Sequence, residues 1–225
     1  MMDPLDSPPV MQDDADAMPR GLAVAGSGRR RLAPDERRAQ ILDAAVTFFA
    51  EVGLEGRTRD LAHRLGITQS VAEKYFANKE ALLEAVVARG YIDRLSPAWP
   101  TLLRDRRLPI RDRMLNFYDE YTRAIFTFEW MRIFMFSGLA GERLNDRYLT
   151  HMRKLILEPM RDEIAAAAAG TREPDMEDIW NLHGGIVYLG IRRFIYRVET
   201  PEDIGPAVMR AVDRLLKDFD ADGAA

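Results

Sequence analysis

The chain has 225 residues, 36 of them acidic and 32 basic, for a net charge of -4, and it contains no cysteine. That composition rules out a disulfide framework and a thiolate metal site, and it makes the reducing cytoplasm the natural compartment. No apolar run reaches the roughly 20 residues needed to span a bilayer, and the acidic N-terminus lacks the basic-then-apolar order of a signal peptide. The length is enough for one large helical domain or two smaller ones with a full core.

The charge is unevenly spread. Residues 1–28 carry five Asp against one Arg, residues 29–80 ten basic against eight acidic, and residues 81–225 carry 21 against 23. The first stretch holds Pro4, Pro8, Pro9 and Pro19 with several glycines and no helical or strand period, so it is expected to be disordered; Met18 offers a second start position. Arg29-Arg30-Arg31 follows, either a basic arm lying against phosphate or a solvated charge run.

From Pro34 the pattern becomes helical. Ile41, Ala45, Phe48, Phe49 and Val52 recur at i, i+4, i+7, i+8 and i+11, an apolar stripe that must pack inward. Pro34 suits the first helical position, Asp35 and Glu36 sit at the positive helix end, and Gly53 ends the helix. Thr58 is expected to cap a second, short helix with Leu61, Ala62 and Leu65 inward. Gly66 then supplies a left-handed turn, and Ile67 plugs the angle. Thr68 is expected to cap a third helix in which Ala72 and Phe76 face inward. That leaves Gln69, Ser70, Glu73 and Lys74 outward, able to enter a major groove. Asn78 caps the fourth helix.

This segment resembles the DNA-binding domain of the TetR family of bacterial transcriptional regulators. The residues carrying the resemblance are the Phe49-to-Gly53 spacing, Asp60-Leu61-Ala62, Leu65-Gly66-Ile67-Thr68, Tyr75-Phe76 and Asn78-Lys79-Glu80-Ala81-Leu82-Leu83. The resemblance implies an all-α fold, with an N-terminal helix-turn-helix DNA-binding domain followed by a helical-bundle ligand-binding and dimerisation domain. On it, residues 1–31 are a disordered acidic tail with a basic arm, 32–80 the DNA-binding domain and 81–225 the effector-binding and dimerisation domain. The implied DNA contacts are Arg57, Thr58, Thr68, Gln69, Ser70, Val71, Lys74, Tyr75 and Lys79. The sequence departs from the family pattern in two places. The Gly53-to-Ala62 spacing is one residue short, and Glu73 stands where the family usually places a phosphate-contacting tyrosine. Either Glu73 accepts a bond from a cytosine amino group, or it turns away and pairs with Lys74 or Lys79, the reading favoured here.

Beyond the fourth helix, which is expected to reach about Arg94, Pro97 and Pro100 break the chain. Pro109 opens a helix to about Phe126, and Glu129 to Phe136 form a short apolar one. Leu144 to Ala168 form a long helix, as do Met176 to Val198. Thr200-Pro201-Glu202-Asp203 is read as the cap of a last helix ending at Phe219. Aromatic residues and methionines crowd the middle of this region, and most must be core. The resemblance places an effector among the central helices, with Trp99, Phe117, Tyr121, Met131, Phe134, Met135, Trp180 and His183 as its candidate contacts and Tyr188 as a further polar handle. The last two helices carry apolar stripes through Ile179, Leu182, Ile186, Leu189 and Phe194 and through Ile204, Val208, Val212, Leu215 and Leu216. In the family this pair forms a four-helix bundle with a second subunit. The His183-Gly184-Gly185 run, costly by about 1 kcal/mol per glycine in an isolated helix, then marks close backbone approach.

No phosphate loop, nucleophile elbow, HExxH or dinucleotide fingerprint is present. Asp162-Glu163 and Glu177-Asp178 are read as solvent-facing pairs, since helix neighbours do not share a site. No catalytic residue, metal ligand or cofactor is therefore expected. The partners expected are a double-stranded DNA operator, a small-molecule effector and a second copy of the chain through its last two helices, with no membrane. The protein reads as a homodimeric repressor released from a palindromic operator by an apolar or aromatic effector. The alternative is a helical ligand- or protein-binding module with weakened DNA binding.

Overall fold

The computed structural model describes residues 33–90, 92–141 and 145–221; the acidic stretch, the Arg29–Arg31 run and Leu144 lie outside them. Among the described residues every regular element is a helix. Helix α1 spans Pro34–Val52, with Pro34 at its first position and the Glu36 carboxylate accepting from the Ala33 amide at 3.0 Å. Ile41, Ala45, Phe48 and Phe49 are buried as their spacing requires, each worth about 1.5–3 kcal/mol for the larger side chains. Val52 departs from that stripe: it is 46 % exposed and ends the helix against Gly56. Gly53, at φ +87°, stops the helix in a backbone region that side chains resist.

Helix α2 is Thr58–Arg64 and α3 is Gln69–Glu73, joined through Gly66 at φ +62°. Leu61, Ala62, Ala72 and Phe76 close on α1 as expected, and Arg38 lies over the Phe76 ring at 4.8 Å. Thr68 stands at the N-cap of α3 as expected, but neither threonine side chain bonds a helix amide. Thr58 is the first helical residue, because Arg57 takes the extended cap position, and the Thr68 hydroxyl pairs with Ser70 at 3.0 Å instead of an amide. Helix α4, Lys79–Gly90, is capped as expected, Asn78 Oδ1 accepting from the Ala81 amide at 2.8 Å. It ends short of Arg94, which belongs to a separate 3-10 turn at Ile92–Arg94. Arg94 fastens that turn to the bundle by donating to the Ala124 carbonyl at 2.9 Å and to Thr127 Oγ1 at 3.2 Å.

The bundle follows as α5 Trp99–Arg104, α6 Ile110–Ile125, α7 Phe128–Leu139, α8 Asp146–Met152, α9 Glu158–Ala167, α10 Met176–Phe194 and α11 Gly205–Lys217. Helix α5 replaces the expected break: Pro100 falls in the first turn, where its missing N–H costs no hydrogen bond. Helices α8 and α9 are one long helix, as the periodicity demands, but the turn between them, Arg153–Leu157, is π-helical. Pro159 explains it. A proline inside a helix gives no N–H to the carbonyl four residues back and pushes its ring against it, so the preceding turn widens. Helix α10 stops at Phe194 instead of Val198, and Arg193 spends its guanidinium on Thr200 Oγ1, 3.0 Å away, and on the Pro201 and Glu202 carbonyls. Thr200 is thus no cap, and the first-turn proline of α11 is Pro206 in place of Pro201.

Glu163 is not on a solvent face. It is buried, accepting a two-pronged bond from Arg106 at 2.9 and 3.0 Å and a further one from Arg113 at 2.7 Å. The Arg106 hydrogen bond, with Arg113 behind it, holds the carboxyl below the usual glutamate range.

Candidate nucleic-acid interface and effector cavity

The reading head is built by the tight turn. Gly66 lets the chain reverse so that α3 crosses α2 with Ala72 and Phe76 anchored inward. This turns Thr68, Gln69 and Ser70 out at the α3 N-terminus, exposed, with Lys74 and Arg57 exposed beside them. Val71, Tyr75, Thr58 and Lys79 are half-buried, and Tyr75 packs partly on the core. The expected DNA residues thus lie on α3 or at its two ends, or at the starts of α2 and α4. Glu73 pairs with neither Lys74 nor Lys79: its carboxylate accepts from the Gln69 side-chain amide at 2.7 Å, one helical turn away.

The aromatic middle divides between core and cavity. Tyr121, Phe134, Trp180 and His183 line a hollow of about 150 Å³ between α6, α7, α8 and α10, together with Trp130, Tyr148 and Met152. Trp99 lines a second hollow of about 310 Å³ beneath the α4–α5 connection, with Leu95, Pro97, His151, Leu155 and Ile156. Phe117, Met131 and Met135 line neither. Phe117 is stacked on Tyr121 at 5.3 Å as core, and Met131 is fully buried where α10 comes close at Gly190. Tyr188 is no handle to the cavity, because it faces outward, 48 % exposed, beside Tyr196. Trp130, Tyr148 and Met152 were not singled out as contacts, since helical spacing alone does not separate a wall from a core position. A larger hollow of about 520 Å³ lies between α6 and the start of α11, but Asp119, Arg123, Glu202 and Asp203 make it a charged surface groove.

Behind the apolar wall of the small cavity runs a buried, uncharged polar chain. Tyr121 and Tyr148 share a hydrogen bond at 2.7 Å, and Tyr121 continues to His183 Nε2 at 3.2 Å. Burial pushes both tyrosine hydroxyls up and lowers His183 to about 4, so the imidazole is neutral near pH 7. His183 Nδ1 has no hydrogen-bond partner among the described residues. No Asp, Glu, Lys or Arg is found among the described residues lining either cavity.

One residue that sequence reasoning missed joins the head to the bundle. Arg132 on α7 donates to the carbonyls of Ala50 and Glu51 at the end of α1, and its guanidinium lies between the rings of Phe128 and Phe136, 5.3 and 4.8 Å from their centroids. Helix α1 has no basic residue in its own last turn, so α7 supplies the cation its negative end favours.

The architecture is a helix-turn-helix head on an all-helical bundle. Residues 41–86 match the model of the bacterial regulatory proteins of the tetR family. It is 34 % identical over 90 residues to tetracycline repressor protein class D of Escherichia coli, covering 36 % of this chain and 41 % of that one. It is 36 % identical over 101 residues to the transcriptional activator FasR of Mycolicibacterium smegmatis, covering 42 % and 46 %. The chain thus aligns with less than half the length of these relatives. Among solved structures, the ketosteroid transcriptional regulator KstR2 of Mycobacterium tuberculosis matches with a TM-score of 0.60 at 19 % identity, over 81 % of this chain and 94 % of that one. A tetR-family regulator from Streptomyces coelicolor matches at 0.59 and 17 % identity, over 85 % and 91 %. These two share the fold. Among the described residues no helix is long and apolar enough to cross a membrane, and no cluster of His, Asp and Glu could hold a metal ion.

Proposed function

We propose that this protein is a sequence-specific DNA-binding transcriptional regulator of the cytoplasm, a homodimeric repressor that leaves a palindromic operator when a small apolar or aromatic effector binds. The observation that carries this reading is the outward edge Thr68-Gln69-Ser70 at the start of α3, held by an inward Ala72 and Phe76. Side chains so placed reach base edges, while Arg57, Lys74 and Lys79 around them suit phosphate. The relatives include a repressor and an activator. An effector that displaces a reading head most simply removes it, which favours repression.

Two connections support effector coupling. Helix α7 presents Trp130 and Phe134 to the small cavity and Arg132 to the end of α1. The 3-10 turn after α4 contributes Arg94 to the α6–α7 corner, and Leu95 just beyond it borders the larger cavity. A ligand that prefers one placement of α7 over another therefore moves the head as well, and a coupling of about 1–3 kcal/mol gives release of tenfold scale. Dimerisation through α10 and α11 is supported by an uncovered strip. The expected stripe residues Ile179, Leu182, Ile186, Val208, Val212, Leu215 and Leu216 are buried within the protomer, but methyl groups at Gly184 and Gly185 would meet nothing within 4 Å, and Tyr188 and Met209 are exposed on the two helices.

The test is salt-dependent binding to the DNA upstream of the protein's own gene. Specific binding that weakens steeply with salt supports the reading. Equal affinity for operator and scrambled duplex at every salt concentration favours instead the binding module that has lost DNA.

A further inference from the structure

We infer that the recess between the turn at residues 105–109 and helices α6 and α9 is a binding site for a small organic carboxylate. It is separate from the two hollows described above and independent of the effector reading proposed for them.

The recess, about 420 Å³, falls in the size range of small-molecule sites. Arg106 and Arg107 of the turn and Arg113 of α6 line it, with Glu163 of α9 as the acidic residue in its wall. Each guanidinium has one side committed to the protein. Arg106 gives Nε and Nη2 to the Glu163 carboxylate at 2.9 and 3.0 Å, and Arg107 gives the same two atoms to Asp105 at 2.7 and 2.6 Å. Arg113 gives Nη1 to the Leu103 carbonyl and to Glu163, both at 2.7 Å. The other side is free: Nη1 of Arg106, Nη1 of Arg107 and Nη2 of Arg113 donate to no group among the described residues.

Arg113 is the most informative of the three. It is only 4 % exposed, its Nε is sealed off without a partner, and its Nη2 keeps access to the outside. A buried charged donor left unbonded is costly, and an anion in the recess satisfies it. The charges agree, since the side chains lining the recess and their direct partners are three arginines against Glu163 and Asp105. The free amides at the start of α6 favour an anion, while the end of α9, which reaches the recess through Ala166 and Ala167, opposes one. The guanidiniums therefore decide the sign. A carboxylate matches their planar donors, and Leu108, Ile110 and the two alanines give a short hydrocarbon body a wall to lie on.

The experiment is calorimetry on the full-length protein in low-chloride buffer, with hexanoate, hexanamide, hexylammonium and inorganic phosphate. Hexanoate should bind at least about tenfold more tightly than hexanamide, as hydrogen bonds to charged groups require. Phosphate should bind more weakly than hexanoate, because it leaves the apolar wall unused, and hexylammonium should not bind. Arg107→Ala, which also leaves Asp105 unpaired, should weaken hexanoate at least about threefold. Glu163→Gln should tighten it by a similar factor while lowering the unfolding midpoint, since the ligand takes over the arginines that the glutamate served. A merely structural cluster gives the loss of stability without the gain in affinity. Arg113→Met should abolish binding, and if that variant fails to fold, Arg107→Ala and Glu163→Gln decide the matter. No detectable hexanoate binding, or equal affinity for hexanoate and hexanamide, overturns the site. So does hexanoate binding that neither Arg107→Ala nor Glu163→Gln alters, which would put the ligand in an apolar hollow. Phosphate binding as tightly as hexanoate upholds an anion site and overturns the carboxylate class.

Discussion

Gln69 donates its amide to Glu73 at 2.7 Å, so the side chain best suited to read an adenine is held by a carboxylate in the DNA-free protein. Glu73→Ala should release the amide and remove a charge that repels phosphate, tightening operator binding several-fold at low salt. Gln69→Ala should relax discrimination at one base pair, by about 1–3 kcal/mol. Lys79→Ala should weaken all sequences alike and lower the salt slope by about one unit. Anisotropy titrations of operator and scrambled duplex over a range of salt separate the three, and an unaltered base preference in Gln69→Ala would remove it as a reader. Ala72, Phe76 and Asn78 were legible because spacing alone puts two of them inward and the third at a cap. The partner of Glu73 was not, since Gln69, Lys74 and Lys79 all lie within reach on paper and a rotamer decides among them. His183 carries a second prediction. Burial lowers its folded pKa to about 4 against 6.5 when free, so the unfolded chain binds the extra proton first. Its neutral form is compatible with full stability above about pH 6.5, and stability falls by up to about 3 kcal/mol as the pH drops from there to about 4. Denaturant titrations across that window should show a flatter pH dependence in His183→Gln than in the unmodified protein.

Helix α7 works on both its faces, and the consequence is measurable. Arg132→Ala leaves the Ala50 and Glu51 carbonyls without their cation and should lower stability by about 1–2 kcal/mol, as well as reducing the response of operator affinity to effector. Arg132→Lys should recover part of the stability but not the response, because an ammonium cannot hold the planar fork between two rings. Denaturation and operator titrations with and without effector check both, and a full response in Arg132→Ala would show that coupling bypasses this joint. Arg132 was invisible in the sequence because the two ends of its bond lie far apart in the chain and no local period links them. Helix content was more readable than helix ends. The apolar repeat foretold the long α8–α9 helix, but the weight of Pro159 inside it, which opens the π turn at Arg153–Leu157, went unread. Likewise Pro100 looked like a breaker when it was a first-turn residue of α5, a distinction that depends on where the preceding chain arrives.

For the molecule as a whole, the two recognition helices of a dimer must stand about 34–36 Å apart to meet successive turns of one duplex face. Sedimentation at micromolar concentration should therefore find twice the mass of one chain. A paired change of Gly184 and Gly185 to Asp should give monomers of unchanged helix content that no longer hold the operator, and dimers persisting in that variant would move the interface elsewhere. The glycine pair was noticed in the sequence for its helical cost, and the protomer leaves both positions uncovered. The clamp at the end of α1 has a consequence for how such proteins diverge. A crossover in the α4–α5 connection, the obvious seam for exchanging heads between relatives, separates the carbonyls of Ala50 and Glu51 from the arginine that serves them. A chimera made there should fold poorly unless the incoming bundle brings an arginine at the place of Arg132 with its two flanking rings. New operator specificity is therefore reached more cheaply by substitutions along α3 than by shuffling whole heads.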